Sequence, residues 1–255
     1  ILPDIVGLNA FDFGPDGKLY GPLIFEGKLV RIDVDTAQVS VVADGFVMPV
    51  ACKFDSQGRL FTLDQVQGKV LIVDTATGQK TPYATIEIGL DNLAFNSQGQ
   101  LFVSNNNTGA VYQVSTGGAV RYVNRGGLQA VMGLAVLPRA GGESLYVAEN
   151  SGVAEYDGAS GAPRAFTHAM LGASGLKGPM SASEDGAHLV LSTWFENAVQ
   201  VWDPATGTVL EEYADVAVPI DAVRFQGDIV ASELGATPPR VVRLSALDPS
   251  ARVTL

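Results

Sequence analysis

The chain has 255 residues, of which 47% are hydrophobic and 17% charged, with a net charge of −11. That balance excludes a disordered chain and leaves length enough for a large core. The acidity argues against nucleic acid or a membrane surface as partner, and no apolar run approaches the roughly 18 residues of a membrane helix. A soluble protein is expected, with cytoplasm, periplasm and exterior all open as compartments.

From the N-terminus, ILPDIVG reads as the tail of an outer strand, as VVADGF does further on, and so would help close a ring of repeats. A first unit opens near Leu8. Its markers recur: Phe13, Phe54 and Phe95 are 41 residues apart, as are Gly17, Gly58 and Gly99. The second unit opens at Pro49 and reads VACKF, turn DSQG, RLFTLD, turn QVQG, KVLIVD, turn TATG, QKTPYAT. Each piece is a short strand bounded by Gly, Asp, Asn or Ser, and apolar residues nowhere keep helical spacing for three turns. Cys52, the only cysteine, lies in the first of these strands and reads as a packing residue. Further units open near Leu90, Val131, Gly178 and Pro219, giving six that fill residues 1–255. Four strands per repeat of about 40 residues is the pattern of a propeller blade. The expected fold is therefore all-β: a single six-bladed β-propeller domain with four antiparallel strands per blade.

In such a ring the first strand of each blade lines the axis, and ligands sit where the strand heads converge. Four residues before the phenylalanine position, the six units carry Asn9, Val50, Asp91, Met132, Gly178 and Asp221. Two carboxylates and an amide on one ring would make an oxygen-only site for a hard divalent cation, with Asn92 as a fourth donor. The same residue types also recur where a loop enters a strand, because they bond neighbouring backbone N–H groups. A second tier closes the second strands: Asp64, Asn105, Glu149, Thr193 and Glu233, with Leu23 in the first blade. Glu149 and Glu233 follow strongly apolar runs and stand with Asp91 as candidates for a general base, or else they solvate the rim. The long link FTHAMLGASGLKGPM between the fourth and fifth units is the candidate lid.

LDNLAFNSQGQLFVSNNNTGAVYQV, with its DTATG turns, resembles the senescence-marker-protein, gluconolactonase and luciferin-regenerating-enzyme superfamily of six-bladed propellers. The resemblance covers the whole chain at the level of blade pattern. It implies one divalent cation at the central channel, Ca²⁺ first and otherwise Mg²⁺, Mn²⁺ or Zn²⁺, and hydrolysis of a small lactone or ester. Asn9, Asp91 and Asp221 occupy the matching strand-head position. The chain departs from the family in starting its first blade with GLNAFDF rather than a Glu-containing motif. It also has Leu-Asp-Asn and Ile-Asp-Ala where Pro-Asn-Gly is usual. The alternatives to a lactonase are a non-catalytic propeller that binds a ligand or protein, and a metal-assisted lyase acting on a cyclic ester.

Overall fold

In the computed structural model, residues 2–3, 5–169, 175–248, 250 and 252–253 are described. Part of the candidate lid, residues 170–174, lies outside them. The described chain is all-β. Six antiparallel sheets follow one another in sequence; five pair their strands in chain order, and the sixth also takes in a strand from the N-terminus. The inner strands are Asp12–Phe13, Pro49–Phe54, Leu90–Phe95, Leu134–Arg139, Ser181–Asp185 and Pro219–Phe225. These sheets are the blades of a propeller, numbered 1 to 6 in that order.

The repeated turns explain the sequence period. After the inner strand of blade 2, Asp55 Oδ1 accepts the amides of Gln57 and Arg59 at 3.0 and 2.9 Å. Asn96 does the same in blade 3 for Gln98 and Gln100, at 3.1 and 2.9 Å. Gly58 and Gly99 close these turns with φ of 75° and 71°, a conformation that costs glycine nothing.

The core lies between blades rather than within them. Phe61, Leu63 and Val70 of blade 2 pack on Leu90, Leu93 and Leu101 of blade 3. Leu19, Val30 and Ile32 of blade 1 pack on Val223, Val230 and Val241 of blade 6. Ring closure is therefore hydrophobic. It is also hydrogen-bonded, because the N-terminal Leu2–Pro3 pairs with Arg240–Leu244 and adds an outer strand to blade 6. The leading segment thus takes the closing role its sequence suggests. Cys52 is buried, with Sγ 3.1 Å from the Tyr20 carbonyl.

An ion pair links the inner strands of opposite blades. Lys53 of blade 2 and Glu184 of blade 5 belong to opposite blades, and Nζ meets Oε2 at 2.6 Å. Glu184 Oε1 also accepts the Val136 amide at 3.2 Å. Asp12, which accepts the Phe13 and Phe54 amides at 2.9 Å, completes the cluster. Burial pushes the Asp12 carboxyl up against the pull of Lys53. Burial lowers the Lys53 ammonium, but Glu184 and Asp12 together hold it above its ordinary value.

Candidate functional site

On one face, the strand heads enclose a cavity of about 180 Å³ on the axis. The ladder register fixes which residue of each blade reaches it. In blade 3, Leu90 pairs with Asn105 and Leu93 with Val103, so a bulge leaves Asp91 and Asn92 opposite Ser104. In blade 6, Pro219 pairs with Glu233 and Ala222 with Ala231, leaving Ile220 and Asp221 opposite Ser232. Asn92 N donates to Ser104 Oγ at 2.9 Å and Asp221 N to Ser232 Oγ at 3.3 Å. The counterpart of Asp91 is therefore Ile220, and the counterpart of Asp221 is Asn92.

That register corrects the strand-head ring. Counting back from phenylalanine works in blades 1 to 4 but not in blade 6. There the tight Gln226–Gly227 turn replaces the wide Asn96–Gln100 turn, so Phe225 sits one position later in its strand. Blade 5 is also shifted. Gly178 precedes the strand, where a Cβ would lie 2.7 Å from the Asn150 carbonyl, and Met180 lines the cavity in its place. The ring at the mouth is thus Asn9, Val50, Asp91, Met132, Met180 and Ile220. One carboxylate and one amide stand among four apolar side chains.

Asp221 lies beneath the cavity wall, 3% exposed. Its Oδ2 accepts the Phe11 amide at 2.9 Å and its Oδ1 the Ser181 hydroxyl at 2.7 Å. Burial pushes its carboxyl up to about 6, partly offset by those bonds. Asn9 and Asn92 line the cavity, and each also accepts the next backbone amide, Ala10 N at 3.0 Å and Leu93 N at 2.7 Å. The strand-entry bonding expected of such residues is therefore present in both asparagines, at positions that also face the cavity.

Asp91 stands differently. Burial pushes its carboxyl up to about 7, opposed only by a hydrogen bond from Asn106 Nδ2 to Oδ2 at 2.8 Å. Asn106, Gln65 and Trp194 also line the cavity, and none of them was singled out from the sequence. Each directly follows a second-tier residue. Successive strand residues point to opposite sides, so the residue after the tier turns to the axis while the tier residue turns to the loop. That alternation was the available signal.

The second tier accordingly holds loops. Glu149 Oε2 accepts the Gln129 amide at 2.7 Å, and its Oε1 accepts the Ser151 hydroxyl. Glu233 Oε1 accepts the Ala217 amide at 3.0 Å, and Oε2 pairs with Arg240. Asp64 takes the Val47 amide at 2.8 Å in the same manner. Neither glutamate lines the cavity, and both are buried rather than at a solvated rim.

Among the described residues no group of three or more His, Cys, Asp or Glu side chains is placed to hold a metal ion. The donor set at the cavity is instead one half-buried carboxylate, Asp91, with the side-chain oxygens of Asn9 and Asn92. Oxygen donors of this kind fit a hard cation held with modest affinity.

The fold is that of solved six-bladed propellers. A gluconolactonase from Xanthomonas campestris superposes with a TM-score of 0.75 at 16% identity, covering 94% of this chain and 86% of its own. A calcium-binding protein, regucalcin, from Agrobacterium tumefaciens strain C58 gives 0.69 at 18% identity, covering 90% and 82%. A streptogramin B lyase gives 0.73 at 14% identity, covering 100% and 84%. The resemblance read from the blade pattern thus extends to three dimensions, and at these identities it is a likeness of fold. No protein-family model matches the chain, and no curated protein matches its sequence. Among the described residues no helix is long and apolar enough to cross a membrane.

Proposed function

We propose that the protein hydrolyses a small lactone or ester in the axial cavity, with Asp91 as its central carboxylate. The observation that carries this reading is Asp91 itself: half-buried at the cavity, without a cationic partner among the described residues, and raised to about 7 by desolvation. A carboxyl poised near neutral pH is suited to proton transfer, and perturbed groups in clefts mark functional sites. Asn106 orients the carboxylate through Oδ2, leaving Oδ1 to take the proton of an attacking water. Water then adds to the carbonyl carbon, the ring or ester C–O bond breaks, and Asp91 returns the proton to the leaving oxygen, giving a hydroxy acid from a lactone or an acid and an alcohol from an ester. Asn9 and Asn92 amides orient the substrate from either side. Glu149 and Glu233, engaged with their loops, leave the base role to Asp91.

Asn9, Asp91 and Asn92 would hold a divalent cation, Ca²⁺ before Mg²⁺, Mn²⁺ or Zn²⁺, while Asp221 supports them from below. When bound, such a cation polarises a carbonyl and lowers the pKa of a coordinated water. The named similarity to a gluconolactonase and to a calcium-binding regucalcin supports this choice of chemistry.

The test is a lactone panel assayed with and without EDTA, followed by metal add-back, and repeated with Asp91→Asn. Hydrolysis that EDTA abolishes and Ca²⁺ restores, and that Asp91→Asn lacks, is expected. An unsaturated product formed without uptake of water would make the enzyme a lyase. Four apolar positions in the mouth ring favour a second reading, a propeller that binds its ligand without turning it over. Ligand binding with no product, metal present, would establish that reading.

A further inference from the structure

Blades 1 and 2 bring both kinds of side chain to the cavity, Asn9 and Gln65 beside Ile24, Met48 and Val50, but around the rest of the ring polar and apolar side chains separate by blade. Blade 3 contributes Asp91, Asn92 and Asn106. The arc through blades 4, 5 and 6 contributes Met132, Met180, Trp194 and Ile220. The one hydroxyl in that arc, Ser181 Oγ, already donates to Asp221 and accepts from Ser192 Oγ at 2.8 Å. The arc has one further polar atom, Trp194 Nε1, which is buried and makes no hydrogen bond. Outside the mouth the apolar surface continues. Phe195, next to Trp194, is 71% exposed, and Phe25 and Val66, each next to a cavity residue, are 67% and 51% exposed.

A polyhydroxylated ligand suits this wall poorly. Each hydroxyl laid against Met132, Met180 or Ile220 would lose its water and gain no partner. A hydrocarbon chain or aromatic ring loses nothing there, and methionine adapts its shape to irregular apolar ligands.

We propose that the ligand of this cavity is amphipathic: an ester or lactone head set against Asp91 and Asn106, with an apolar body along Met132, Met180 and Ile220 beneath Trp194. The identity of the head rests on the hydrolase reading above. The apolar body rests on the segregated wall alone.

Two measurements separate those parts. The first is binding of unreactive lactams bearing alkyl tails from methyl to heptyl, beside a gluconolactam. It is read by Trp194 fluorescence, with Trp194→Phe as the control that leaves only the buried Trp202. Affinity is expected to rise about fourfold per methylene, the factor that ~0.8 kcal/mol of buried CH₂ gives, until the wall is covered. Met180→Ser is expected to flatten that slope, and the gluconolactam to bind at least tenfold more weakly than the heptyl lactam. The second is kcat/KM on the matching lactones. Tail-dependent binding without turnover would sink the hydrolase reading and support the amphipathic ligand. Efficient hydrolysis of gluconolactone, with no gain from a tail in either measurement, would sink the amphipathic ligand and keep the hydrolase. Equal binding of polyol and alkyl lactams to the wild type would also overturn the proposal, whatever Met180→Ser does to folding.

Discussion

Asp221 Oδ2 accepts the backbone amide of Phe11 at 2.9 Å, joining the last blade to the first across 210 positions of sequence. Its other oxygen accepts from Ser181, so a single carboxylate ties blade 6 to both of its neighbours directly beneath the cavity. The hydrophobic seam between blades 6 and 1 is non-directional, whereas this bond fixes register at the point where the ring closes.

Asp221→Ala is therefore expected to destabilise the fold, because it leaves the buried Phe11 amide without a partner, at a cost of about 1–3 kcal/mol. Asp221→Asn keeps an acceptor oxygen and removes a buried charge, so its melting temperature should stay near that of the wild type. Thermal unfolding of the two variants checks this. Equal losses would mean that the charge, and not the hydrogen bond, matters at this position.

Lys53 and Glu184 make a second tie, across the axis itself. Removing one partner strands the other charge in the channel. Lys53→Met or Glu184→Leu should each cost roughly 3–5 kcal/mol, while the Lys53→Met, Glu184→Leu double variant should recover most of that loss. A double-mutant cycle from urea unfolding gives the coupling. Additive losses would show that each side chain is held by other contacts, such as Lys53 by Asp12.

The fold was legible because its repeat obeys a local physical need. Asp55 and Asn96 occupy equivalent turn positions, and Gly58 and Gly99 equivalent left-handed ones, so the period survives in the sequence. The site was legible only in part. Asn9, Asp91 and Asn92 reach the cavity as their pattern suggests. Asp221 does not, because its distance from Phe225 depends on a turn length that varies independently of the strand head. Glu149 follows an apolar run as a catalytic carboxylate might, but so does any buried side chain that caps a loop. Trp194 and Asn106 gave no signal in isolation, since facing the axis is a property of strand alternation and not of residue type.

Glu149 allows a direct test of that distinction. Glu149→Ala frees the Gln129 amide and the Ser151 hydroxyl, and hydrogen bonds to a charged group are worth about 1.5–3 kcal/mol each. Melting should fall and amide exchange near residues 125–131 should speed up. The pH profile of kcat/KM, which reports the base, should keep its shape. A profile flattened by Glu149→Gln under conditions where the protein is folded would return Glu149 to the chemistry.

Asp91 governs both stability and activity with pH, in opposite directions. Its carboxyl is raised to about 7 by burial, so between about pH 4 and 7 the folded state binds a proton that the unfolded chain has lost. The stabilisation from the buried neutral form is complete below pH 4 and is lost as pH rises through 7. Asp221, raised to about 6, adds to the same slope over the lower part of that range. Activity, which needs the ionised base, should climb with pH while stability declines, its midpoint falling below about 7 because a cation on Asp91 favours the ionised form. Asp91→Asn should melt higher than the wild type at pH 8 and match it near pH 4. It should lose 10²–10⁴-fold in kcat, the usual contribution of a general base. Ca²⁺ at pH 8 should raise the wild-type melting temperature and leave that of Asp91→Asn unchanged, because a ligand that binds only the folded state stabilises it by mass action. An equal Ca²⁺ shift in both proteins would place the cation away from Asp91. A wild-type activity profile that stays flat down to about pH 4, the ordinary carboxylate value, would remove Asp91 from the role of base.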